Sequence, residues 1–246
     1  MTGEPMVGLV VVSHSRALAA GVMELVAGVG DTEIPLAHAG GTGAEHGELG
    51  TDAMDIMEAI QAVDNPAGTV VLMDLGSAVL SAETALEFLE GSLQGPVRLV
   101  PAPLVEGAVS AAVQIALHAD IDTVISEARV SLMPKEEQLG GGEEAAAAAA
   151  DTDDRAASRV TDGECRVFPV RTAHGLHARP AAQLARTVGG FSAEATVRRV
   201  EDSTERWVNA RSLNRIATLQ LRRGDHFELC AAGEDAADLM REVQAL

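Results

Sequence analysis

The chain has no tyrosine, a single tryptophan (Trp207) and four phenylalanines in 246 residues. Aromatic platforms are what single-strand nucleic-acid binders stack bases on, and this chain has almost none. Cations are scarce as well. Lys and Arg number 18 against 37 Asp and Glu, and the net charge of −19 opposes any partner with a phosphate backbone. No apolar run approaches the roughly 18 to 20 residues of a membrane helix. The opening Met1-Thr2-Gly3-Glu4 lacks the cationic segment of a secretion signal. No Gly-x4-Gly-Lys-Ser/Thr stretch occurs, which argues against ATP binding by a P-loop. Two cysteines, Cys165 and Cys230, are too few for a disulfide scaffold or a Cys-rich zinc site. They read as ordinary half-buried residues of a cytoplasmic protein.

What is present is ordinary for a globular protein: 47% apolar and 22% charged residues, over a length that suits one large domain or two small ones. The charge, however, is unevenly spread. Residues 1–133 carry 3 basic and 18 acidic groups, net −15; residues 134–162 carry 3 and 8, net −5; residues 163–246 carry 12 and 11, net +1. An acidic front and a near-neutral, arginine-rich back point to two separate units. The middle piece holds Gly140-Gly141-Gly142, six alanines and an acidic run, with almost no large apolar side chain. Such a composition cannot repay its ordering entropy by burial and reads as a flexible linker. As a coil, it spans roughly 30 Å r.m.s..

In the front unit, Val7-Gly8-Leu9-Val10-Val11-Val12 is a continuous apolar run ending at Ser13-His14-Ser15, the pattern of a buried parallel strand. Helical spacing follows over Ala17–Ala27. A Gly-rich loop, 40–50, leads to Thr51-Asp52, which cap a helix through Ala62. Thr69–Met73 is a second strand, followed by a helix over Ser81–Leu89. Val97–Val100 is a third strand, followed by a helix over Glu106–His118. Alternating strands and helices predict an α/β fold with a mostly parallel, doubly wound sheet.

Ligands in such sheets gather at the carboxyl ends of the strands. His14 stands there after the first strand, directly before a helix whose free N–H groups and dipole favour an anion. A neutral imidazole in that place can accept a phosphoryl group. Asp74, after the next clear strand, can bond the other ring nitrogen and fix the tautomer. The plainer alternative is a strand-end histidine and a helix-capping aspartate.

The motifs Leu9-Val10-Val11-Val12-Ser13-His14-Ser15, Gly50-Thr51-Asp52, Met73-Asp74-Leu75-Gly76-Ser77-Ala78 and Ala102-Pro103-Leu104-Val105-Glu106-Gly107-Ala108 resemble the EIIA domain of the mannose-type phosphotransferase family. The likeness covers nearly all of 7–130. It is to the variant that serves as phosphoryl donor of dihydroxyacetone kinase. The resemblance implies that His14 carries a phosphoryl group and that the domain forms a homodimer.

In the back unit, Arg166–Val170 reads as a strand, and a helix runs from Pro180, at its first turn, to Val188. Ala195–Val200 and Trp207-Val208 read as strands, Leu213–Leu219 as a short helix, Asp225–Ala231 as a strand and Glu234–Val243 as a final helix. This is a small α+β open-faced sandwich. His177 stands just before a helix N-terminus with Arg179 two residues on, an imidazole beside a guanidinium suited to phosphate oxygens. The pair His174-x-x-His177 raises zinc, but no Cys, Asp or Glu lies nearby to complete a tetrahedral set, so neither metal nor cofactor is expected. His38 and His46, in the Gly-rich loop, border the first site; His118 and His226 have no partner pattern.

Gly175-Leu176-His177-Ala178-Arg179-Pro180-Ala181 and Asn209-Ala210-Arg211-Ser212-Leu213 resemble the phosphocarrier protein HPr over about 164–244. This implies phosphorylation of His177, not His174, by enzyme I, with Arg179 as the motif arginine. Ser212 aligns with a serine that some HPr proteins use for regulation; its plain reading is a helix N-cap. The expectation is a relay from enzyme I to His177, then His14, then ADP on a separate dihydroxyacetone kinase subunit, with a further subunit binding the substrate. A mannose-type sugar-uptake component and a regulatory phosphohistidine module are the alternatives.

Overall fold

The computed structural model describes residues 4–29, 33–139, 159–161, 163–201 and 206–246. The chain divides into two compact units, Met1–Ser131 and Leu132–Leu246. The first holds strands β1 (Gly8–Ser13), β2 (Leu36–Gly40), β3 (Thr69–Met73) and β4 (Val97–Val100), all parallel in the order β2-β1-β3-β4. Helices α1 (Arg16–Val29), α2 (Ala53–Val63), α3 (Gly76–Phe88), α4 (Leu104–Ala116) and α5 (Ile121–Arg129) connect and follow them. All six residues of β1 are buried because the strand is central and has helices over both faces. Alternate side chains serve alternate faces. Val10, Val12 and Val71 pack with Ile56 and Ile60 of α2 and Ala78, Ala82 and Ala85 of α3. On the opposite face α1 and α4 pack on β1 and on each other.

This is the doubly wound α/β unit that the strand–helix alternation predicts, with additions. Strand β2 is not among the expected ones: Leu36-Ala37-His38-Ala39-Gly40 is a half-buried edge strand whose alanines and glycine carry little β signal. His38 therefore lies on a strand and not in the Gly-rich loop. Helix α5 is a second addition, and α3 starts at Gly76, five residues ahead of expectation. The β1–β3 register pairs Val12 with Met73, so Ser13-His14 and Asp74 leave the sheet side by side. Gly40 is required beside them: a Cβ there would meet the Ser13 carbonyl oxygen at 2.3 Å.

The second unit contains α6 (Met133–Gln138), β5 (Glu164–Pro169), α7 (Ala178–Gly189), β6 (Glu194–Arg199), β7 (Val208–Asn209), α8 (Leu213–Thr218), β8 (His226–Ala232) and α9 (Ala236–Ala245). Its antiparallel sheet has the order β5-β8-β6-β7, and α7, α8 and α9 pack together over it. The amphipathic α7 supplies Ala181, Ala182, Leu184, Ala185 and Val188 to the core. The small open-faced α+β sandwich is thus as expected.

Two features differ from the sequence reading. The start of the expected linker is helical: α6 packs on α8, and Glu137 pairs with Arg206. Residues 140–158 and 162 of that linker lie outside the described residues. The reading of Cys165 and Cys230 as unpaired residues is corrected by a disulfide between them. They stand directly opposite on β5 and β8, with Cα atoms 4.1 Å apart. With a sequence separation of 65, only the strand order makes the pairing visible. Among the described residues, no helix is long and apolar enough to cross a membrane.

Candidate functional site

The apolar run of β1 ends at Ser13 because the next residue meets water at the carboxyl edge of the sheet. There His14 is half-buried. Asp74, at the equivalent edge of β3, organises it. The Asp74 Oδ1 accepts from His14 Nδ1 at 2.8 Å, and Oδ2 accepts from the His14 backbone N–H and from Ser13 Oγ, both at 2.8 Å. Leu75 N–H also donates to Oδ1, at 2.7 Å. Burial pushes the Asp74 carboxyl pKa up, but these donors outweigh it and hold it below the ordinary carboxylate value. A carboxylate only accepts, so the proton sits on Nδ1 and Nε2 keeps its lone pair. Nε2 lies 2.7 Å from Ser77 Oγ, in the first turn of α3.

Helix α1 begins just beyond. Ser15 caps it, its Oγ accepting from Leu18 N–H at 3.3 Å, and the first turn has no acidic side chain. The loop after β2 holds the backbone: Gly50 N–H donates to the His14 carbonyl at 2.9 Å. His46 in that loop pairs with Asp55 of α2 at 3.0 Å. His38 stands apart on β2; burial and the Arg16 guanidinium lower its pKa. Its place on the strand, with His46 alone in the loop, corrects the reading of both as loop residues.

His177 is held differently. It is the N-cap residue of α7, exposed, and neither ring nitrogen has a hydrogen-bond partner among the described residues. The backbone before it is held by hydrogen bonds. Residues 172–175 form a turn closed by Gly175 N–H on the Thr172 carbonyl at 3.1 Å, and Leu176 N–H donates to the Leu221 carbonyl at 2.8 Å. Gly175 has φ +78°, and a Cβ there would lie 2.3 Å from the Leu221 oxygen, so no other residue fits. The first turn of α7 has no acid, Pro180 has no N–H to satisfy, and Arg179, two residues after His177, is exposed.

Of the residues that sequence reasoning named, His14, Asp74, His177 and Arg179, the structure brings the first two into contact. That reasoning missed Ser13 and Ser77, the partners of Asp74 and of Nε2. The position of Ser77 in the helix that opens right after Asp74 was the available signal. Ser212 caps α8, accepting from Arg215 N–H at 3.2 Å. His226, read as unpartnered, faces Glu201 at 3.1 Å. Among the described residues, the metal-type donors that converge are Cys165, Glu228 and Cys230; the two sulfurs are bonded to each other and Glu228 is paired with Arg198.

Both imidazoles are thus open to a visiting group at the start of a helix, the arrangement for an anion that arrives and leaves. Comparison with known proteins agrees unit by unit. Residues 8–125 match the family described as PTS system fructose IIA component, and residues 165–246 match PTS HPr component phosphorylation site. A phosphoryl donor subunit DhaM of PEP-dependent dihydroxyacetone kinase from Escherichia coli (strain K12) is 40% identical over 96% of this chain and 48% of its own length. The corresponding protein of Providencia stuartii is 36% identical over 98% of this chain and 49% of its own length. The chain thus spans about half the length of these relatives. The DhaM subunit of dihydroxyacetone kinase 2 from Listeria innocua is 41% identical over 50% of this chain and 96% of its own length. With one such relative 41% identical and matched over 96% of its own length, the chain belongs to the DhaM family of phosphoryl donor subunits.

Proposed function

We propose that this chain relays a phosphoryl group between two histidines. Enzyme I, charged by phosphoenolpyruvate, passes the group to His177. His177 passes it to His14, and His14 delivers it to ADP held on a separate dihydroxyacetone kinase subunit. A further kinase subunit binds dihydroxyacetone. The observation that carries this reading is the pair of accessible imidazoles, each beside acid-free helix N–H groups.

The chemistry at His14 follows from its contacts. The Nε2 lone pair attacks phosphorus, the bond from phosphorus to the donor nitrogen breaks, and the Nδ1 proton stays on the ring. The ring becomes an imidazolium, and the Asp74 carboxylate beside Nδ1 stabilises it. Ser77 Oγ, already at Nε2, turns its hydroxyl to a phosphoryl oxygen. At His177 the free N–H groups of α7 and the Arg179 guanidinium take the phosphoryl charge. A nitrogen–phosphorus bond at both stations keeps the step near balance, so positioning and charge stabilisation suffice. Tethering within one chain supplies an effective concentration of about millimolar order. The working form is proposed to be a cytoplasmic homodimer joined through the first unit.

The test is reconstitution. Phosphoenolpyruvate, enzyme I, this chain and the kinase subunits are expected to form dihydroxyacetone phosphate with many turnovers per chain. Stoichiometric phosphorylation without turnover would favour a purely regulatory module.

A further inference from the structure

His177 has a second imidazole beside it that the relay does not use. The rings of His174 and His177 have centroids 6.2 Å apart and planes tilted by 58°. The backbone enforces the approach. His174 is the third residue of the 172–175 turn, which is closed by the Gly175 N–H and by Thr172 Oγ1, a donor to the Gly175 carbonyl at 2.7 Å. The left-handed Gly175 and the Leu176–Leu221 hydrogen bond then lead straight into His177. Both side chains are exposed, and neither forms an ion pair among the described residues.

Direct contact between the two rings is not what this spacing serves. With centroids 6.2 Å apart, the ring nitrogens cannot come within the about 2.9 Å of a direct hydrogen bond. The space between the rings is of the size that a phosphoryl oxygen fills. We propose that His174 is a positioning residue for the phosphorylated state: its ring N–H donates to a phosphoryl oxygen on His177. Its charge state makes acceptance at His177 depend on pH, since an imidazole is the side chain that titrates near neutrality. The other charged groups around the turn keep their charge there. They are Arg171 before it, Arg179 on α7, and Arg222 and Arg223 after α8; Asp225 faces Arg199 at 2.8 Å and accepts from the Arg222 backbone N–H. Besides the His177 imidazole itself, the group at this turn whose charge changes near neutrality is therefore His174. The proposal rests on His177 being the phosphoryl acceptor.

The experiment uses the full chain and potassium phosphoramidate as a chemical donor. A His177 ring nitrogen attacks phosphorus, the phosphorus–nitrogen bond of the reagent breaks, and ammonia departs as ammonium with the ring proton. Mass spectrometry locates the phosphoryl group, and proton NMR follows the C2–H of each histidine against pH before and after loading. With the group on His177, the His174 titration midpoint is expected to rise by about half a unit to one unit, while His118 and His226 stay in place. By linkage, this equals an about three- to tenfold stronger hold on the phosphoryl group below that midpoint than above it. His174→Asn keeps a donor and is expected to remove the part of the pH dependence of loading between about pH 6 and 8 that adds to that of His177 itself, whereas His174→Ala weakens loading throughout. A His174 midpoint unmoved by a phosphoryl group shown to be on His177 overturns the proposal. Absence of phosphate from His177 is a different result, seen in the mass spectrum alone, and overturns the relay itself.

Discussion

Asp74→Asn is the substitution that isolates electrostatics from shape at His14. The amide is nearly isosteric, and its oxygen can still accept from Nδ1–H. What it loses is charge, just when the His14 ring becomes an imidazolium. Unit charges about 4 Å apart at an effective dielectric of about 20 attract by about 4 kcal/mol. The two side chains are 22% and 13% exposed, so solvent screens part of that and about 2 kcal/mol remains. A second effect has the same sign. Oδ2 now accepts from both the His14 N–H and Ser13 Oγ, and an NH2 in its place opposes the backbone donor. Transfer to His14 is therefore expected to slow by about 30-fold or more. The measurement is a rapid-quench time course of radiolabelled phosphate moving from enzyme I through the chain, with His14 and His177 separated by proteolysis. His177 is expected to fill at the unaltered rate while His14 lags. If His14 fills as fast in the variant, Asp74 only caps the turn into α3 and the reasoning fails.

His177→Ala is expected to abolish labelling of the whole chain by enzyme I, read by acid-labile phosphate; surviving label on His14 would mean that a separate carrier charges it. His14→Ala leaves His177 labelled and stops dihydroxyacetone phosphate formation, and normal formation would end the relay. Gly175→Ala forces a β-carbon onto the Leu221 carbonyl at φ +78° and is expected to destabilise the second unit by about 1–3 kcal/mol in urea titration. Reduction of Cys165–Cys230, which closes 65 residues, is expected to remove about 2–4 kcal/mol from the same unit and leave the first unit's transition unchanged. The Asp74 pKa is held down in the folded state, so its stabilisation is full above about pH 4 and lost as pH falls through the lower folded value. Asp74→Asn should accordingly shallow the acid limb of the first unit's stability, measured as urea midpoints from about pH 6 to 3.

The two histidines were legible for different reasons, and the difference explains what was missed. Apart from the Leu221 carbonyl that holds Leu176, the features that mark His177 lie within a few residues of it. The glycine at 175, the Pro180 that opens a helix and the Arg179 between them can all be recognised in seven consecutive letters. His14 depends on a partner 60 residues away. That the aspartate is adjacent follows only once β1 and β3 are known to be parallel neighbours in the Val12–Met73 register. The continuous apolar runs Val7–Val12 and Thr69–Met73 announce buried parallel strands, which is why Asp74 could be inferred at all. The same logic fails at β2, where Leu36-Ala37-His38-Ala39-Gly40 sits at the sheet edge under half cover and has no reason to be uniformly apolar. It fails again at Cys165 and Cys230, where nothing local marks one cysteine as opposite another across an antiparallel pair. Ser77 is the instructive case between these extremes. Its spacing from Asp74 is local and readable, but its contact with Nε2 depends on where the ring already points, and the carboxylate decides that. A site residue is therefore readable from sequence to the degree that its own backbone places it. The hydroxyl at His14 needed the sheet, the carboxylate and the tautomer to be in place first.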